Sequence, residues 1–84
     1  MRSQLNLLND PNYDPNRLLN AVLAKLNLKN DAALARMLGV APPVLSKVRH
    51  RRLPVAASLI LQIHDATRFS INEIRGLMGE ARVF

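Results

Sequence analysis

The chain of 84 residues has no cysteine and only two histidines, His50 and His64. Neither a disulfide framework nor a zinc finger is therefore available to hold it together, and it is compatible with a reducing compartment. Aromatic residues are few, one tyrosine and two phenylalanines with no tryptophan. Tyr13 and Phe69 read as core edges, so unstacked RNA bases would find little to stack on. Long hydrophobic runs are also missing. The cluster from Leu5 to Leu8 is soon interrupted by asparagine and aspartate, too short for a signal peptide or a membrane span, so a cytoplasmic location without a membrane partner is expected. No glycine-rich phosphate loop, strand-like alternation, repeat or low-complexity tract occurs. His64 lies beside Asp65 and near Ser58, but adjacent residues on a helix do not face one another and a third ligand is not evident. A structural histidine is the expectation, with no enzyme, metal or cofactor.

One absence is local. No acidic residue occurs between Asp31 and Asp65, whereas Arg36, Lys47, Arg49, Arg51 and Arg52 all lie there, and they focus much of the net charge of +6. Such a patch suits a polyanion, usually nucleic acid. By itself it is equally well read as a solvated surface.

What is present is helical. Residues Met1 to Asn12 show no sustained period and read as an arm, giving expected boundaries of 1–13 for the arm, 14–79 for one domain and 80–84 for a tail. Asp14 as N-cap, Pro15 at the first helical position and a Tyr13/Leu18 staple start a first helix with the stripe Leu18, Leu19, Val22, Leu23 and Leu26, ending near Asn27. Asn30 caps a second helix from Asp31 to Leu38, with Asp31 well placed at its positive end. After Gly39 a third helix runs from about Pro42 to Arg49–Arg51. A fourth, from about Val55 to Thr67, carries Leu59, Ile60, Ile63 and Ala66. Ser70 and Glu73 form a capping box, with Phe69 and Ile74 as its staple, for a fifth helix that bears Ile71, Ile74, Leu77 and Met78.

The densest pattern runs from Asp31 to Arg52. Leu34, Leu38, Val40, Leu45 and Val48 form a buried face that turns a corner at Gly39, which supplies the positive φ of the turn, and Ala35 allows close helix crossing. Pro42, Pro43, Ser46, Lys47, His50 and Arg51 are left on the free side. The helix order, the Ala35/Gly39 spacing and the capped last helix resemble the phage-repressor and Cro type of helix-turn-helix domain, lambda-repressor-like, found in small bacterial and phage transcription regulators. The resemblance covers roughly Arg17 to Met78 and implies an all-α, compact five-helix domain that binds double-stranded DNA, resides with the nucleoid when bound, and acts as a homodimeric transcriptional regulator, a repressor.

Carried over by position, the resemblance makes Pro42 to about Arg49 the recognition helix. It implies base contact by Pro42, Pro43, Ser46, Lys47 and Arg51, and phosphate contact by Arg36, Arg49, His50 and Arg52. Met78, Val83 and Phe84 are the expected dimer contacts. The chain departs from the pattern at Ala41, Pro42 and Pro43, where that family often has polar residues. Proline offers a phosphate no backbone N–H, although its ring can pack on a thymine methyl group. The alternative reading is therefore a protein-interaction module on the same fold, an anti-regulator or antitoxin-like partner with weakened DNA reading.

Overall fold

Each helix starts and stops where a side chain or a left-handed residue satisfies the backbone. In the computed structural model, which describes residues 11–79, the helices are α1 (Pro15–Leu26), α2 (Asp31–Leu38), α3 (Pro42–Arg49), α4 (Ala57–Thr67) and α5 (Ile71–Leu77). The described residues contain no strand. Asp14 accepts a hydrogen bond from the Arg17 N–H, Asn30 from that of Ala33, and Ser70 and Glu73 make both bonds of a capping box. These are the caps expected from the sequence.

Three helix ends share one geometry. After α1, α2 and α3, the residues Asn27, Gly39 and Arg51 take φ of 57°, 72° and 61°. In each case the next N–H reaches back to an orphan carbonyl, from Leu28 to Leu23 (2.9 Å), Val40 to Ala35 (3.0 Å) and Arg52 to Lys47 (2.8 Å). This pattern is the Schellman motif, and a left-handed residue makes it possible. A Cβ built on Gly39 meets nothing within 4 Å, so glycine serves conformation there rather than space.

The five helices surround one core. Leu18, Leu19 and Val22 of α1, Leu34, Ala35 and Leu38 of α2, Leu45 and Val48 of α3, Leu59 and Ile63 of α4, and Ile74 of α5 are buried. α1 packs against α3, α4 and α5; α2 packs against α3 and α4; α4 packs against α5. The small Ala35 is buried on α2, which packs against both α3 and α4, and a short side chain there lets neighbouring helices approach closely. His64 donates through Nδ1 to the Phe69 carbonyl (2.6 Å), and Thr67 donates to Ile63 while accepting from Phe69. Both side chains fasten the turn between α4 and α5.

Three expectations change. Met78 is not exposed for a partner; it is buried in the core, and its carbonyl accepts the Asp14 N–H at 2.7 Å because the segment before α1 crosses it. Tyr13 belongs to that core rather than to an arm. α4 begins at Ala57 instead of Val55, since the buried Val55 sends its N–H to the Tyr13 hydroxyl (3.3 Å). Most of the arm, and the tail with Val83 and Phe84, lie outside the described residues.

Burial raises the Tyr13 pKa above its ordinary 10.0, opposed by the weaker effects of the Val55 N–H and of Arg51. The folded state then holds the phenolic proton more tightly than the unfolded chain. This contribution to stability is fully present below pH 10.0 and is lost as pH rises through the folded value. As Tyr13 is the sole tyrosine, tyrosinate absorbance should titrate at higher pH in folded protein than in denaturant; coincident curves would contradict the burial.

Candidate nucleic-acid interface

α3 is anchored by Leu45 and Val48, carries the half-buried Val44 and Arg49 on its flanks, and turns its remaining residues outward. Pro42, Pro43, Ser46 and Lys47 are exposed, as are His50, Arg51 and Arg52 beyond its end and Arg36 on α2. Every residue expected to contact bases is therefore accessible. Two details decide what this surface can offer.

The first is its amino-terminal end. Ala41 provides no side-chain cap, Pro42 and Pro43 have no N–H, and the Val44 N–H is used on the Ala41 carbonyl at 2.9 Å. Helix starts usually bind anions through free N–H groups. Residues 42–44 leave none, so this end presents methyl and pyrrolidine surface under the positive end of the helix dipole.

The second is the carboxyl-terminal end, which concentrates charge. The Arg51 and Arg52 N–H groups bond to the Val48 and Lys47 carbonyls, and Lys47 also accepts from Leu53 at 3.3 Å. The loop is thus tied to the last turn of α3, which holds Lys47, Arg51 and Arg52 near one another. Arg51 occupies the left-handed position, which costs a non-glycine residue roughly 1 kcal/mol. Its guanidinium carbon lies 6.0 Å from the Tyr13 ring centroid, a cation–π placement that steadies the side chain from below. His50 Nδ1 donates to the Ser46 carbonyl at 2.8 Å, which leaves its other nitrogen outward.

Arg49, which the resemblance places at a phosphate, is engaged within the protein. Its Nε and Nη2 pair with Asp31 Oδ2 and Oδ1 at 2.6 and 2.9 Å, and its Nη1 donates to Asn16 Oδ1 at 2.9 Å. The Asn16 amide returns a bond to the Arg49 carbonyl at 3.2 Å. Asp31, read from sequence only as complementing the dipole of α2, therefore has a second role. Asn16 carried no local signal at all, because its partner lies 33 residues away.

Among the described residues, no group of three or more His, Cys, Asp or Glu could hold a metal ion, and no helix is long and apolar enough to cross a membrane. No known protein family, curated protein or solved structure matches the chain.

Proposed function

We propose that this chain is a sequence-specific DNA-binding transcriptional regulator, a repressor of the lambda-repressor-like helix-turn-helix type, acting as a homodimer on two-fold related half-sites. α2 and α3 are its helix-turn-helix and α3 is the recognition helix. The observation that carries this reading is the free face of α3. Exposed Ser46 and Lys47 stand on it with Arg51 and Arg52 tied to its end, while the carboxylate of Asp31 is neutralised by Arg49. A short, exposed helix with a basic end has the dimensions and charge to enter a major groove.

In this mode Lys47 and Arg51 address guanine O6 and N7, and Ser46 a base or a phosphate. Arg36, Arg52 and His50 hold the backbone. Pro42 and Pro43 read by shape, against thymine methyl groups. A cytoplasmic, nucleoid-associated site of action follows from the same function.

The donor-free start of α3 favours a second reading, a protein-interaction module in which the proline surface meets another regulator. Fluorescence anisotropy separates the two. The regulator should bind a duplex from upstream of its own gene, or one selected from a random pool, in preference to a shuffled duplex, and keep that preference near physiological salt. Equal, steeply salt-dependent binding to all duplexes would favour the interaction module.

A further inference from the structure

We propose that Asn16, Asp31 and Arg49 form a clamp that sets the pose of α3 and thereby sequence selectivity, without any of the three touching DNA. The proposal rests on the DNA-reading function above and names residues that this function would depend on. Each of the three comes from a different helix, α1, α2 and α3. The contact between Asp31 and Arg49 is bidentate, which fixes both the distance and the plane of the guanidinium. Asn16 grips residue 49 twice, at the side chain through Oδ1 and at the main-chain carbonyl through Nδ2. It therefore holds the backbone of α3 as well as a flexible tip.

The need for such a clamp follows from the size of α3. The helix has eight residues and two buried anchors, Leu45 and Val48. Two apolar side chains on one side fix its distance from the core far better than its roll about its own axis. Stepping about 100° per residue, Arg49 falls on the flank between those anchors and the exposed Ser46, Lys47 and His50. A directional contact there supplies the missing constraint. Reading base edges demands placement within roughly 0.5 Å and 10–20°, which a helix free to roll would not keep. The clamp also cancels the carboxylate at the start of α2, so that charge does not repel a phosphate.

Asp31→Asn and Arg49→Lys test this together, because Asn30 still caps α2 and Arg49→Lys retains the charge. Two measurements apply, residual dipolar couplings of residues 42–49 in the free protein and anisotropy with the specific and shuffled duplexes across a salt series. The couplings in both variants should no longer fit the wild-type orientation of α3 relative to α1 and α4. In both variants the ratio of specific to shuffled affinity should fall about tenfold through a loss on the specific duplex, with shuffled binding and the salt slope unchanged in Arg49→Lys, which keeps the net charge; partial unfolding would weaken both duplexes alike. If Arg49 were instead a phosphate contact restrained by Asp31, Asp31→Asn would tighten binding to every duplex and steepen the slope, and Arg49→Lys would bind as wild type. Either result, or unaltered couplings, overturns the proposal. Wild-type protein without any selectivity would reject the regulator reading itself and the clamp's part in selectivity with it, while the couplings would still judge whether the clamp orients α3.

Discussion

Gly79→Ala should lose about 3 kcal/mol or more of stability and melt at least 10 °C lower, whereas Gly76→Ala, three residues earlier, should melt at the same temperature or slightly higher. At Gly79 φ is 88°, and an added Cβ would run into the Asn12 carbonyl, with the carbonyl carbon at 2.8 Å and the Tyr13 Cα at 3.5 Å. Two costs combine. The left-handed conformation alone costs an alanine about 1–2 kcal/mol. The overlap is with backbone and so cannot be relieved by a side-chain rotation; residues 12–14 must move. That segment carries buried Tyr13 and the bond from Asp14 to Met78, so its displacement disturbs the core. For a domain whose whole stability is of the order of 4–12 kcal/mol, this is a large share. At Gly76, inside α5, an added Cβ meets nothing within 4 Å, and alanine is the better helix former by about 1 kcal/mol. Thermal melts of the two variants provide the check. Equal melting temperatures would mean that the ends of the domain do not meet as described.

The variant Lys47→Ala/Arg51→Gly/Arg52→Ala should lose DNA affinity by about two orders of magnitude near physiological salt, and the slope of log K against log[salt] should fall by about 1, the share of Arg52, the phosphate contact among the three. Each cation that neutralises a phosphate releases counterions and contributes about 0.9 to that slope on duplex DNA, so the number of lost contacts is read directly. Glycine at 51 is deliberate. It occupies the left-handed position without the steric penalty of arginine, so the backbone gains what the Tyr13 stacking loses and the variant stays folded. Of the single changes, Lys47→Ala should relax sequence preference and Arg52→Ala should weaken binding uniformly. An unchanged salt slope in the triple variant would remove this surface from consideration as the DNA-binding face. Equal losses on all duplexes for both single variants would reject the division between base reading and backbone grip.

The helices were legible wherever the determinant lies within one turn of the residue it acts on. Asp14, Asn30 and the Ser70/Glu73 box cap helices three residues away, Gly39 ends α2 in its own backbone, and the apolar stripes recur at helical period. The exposure of Pro42, Pro43, Ser46 and Lys47 was legible for the same reason, since Leu45 and Val48 orient α3 by simple periodicity. Arg51 ends a helix as Gly39 does, yet an arginine carries no sign of a left-handed turn.

What the sequence by itself determined is thus local: five helices, their caps, the corner at Gly39 and the basic segment that follows it. The tertiary structure alone decided which charges remain free. Arg49 and Arg52 are indistinguishable in composition and differ by three positions, but Arg49 meets Asp31 from 18 residues away and Asn16 from 33, while Arg52 stays exposed. It likewise decided that Met78 closes the core instead of facing a partner, and that Tyr13 lies fully inside that core rather than at its edge. The physical reason is common to these cases. A cap or an apolar stripe acts through the geometry of its own helix, whereas the partner of a charge and the burial of a chain end depend on which helices are brought side by side.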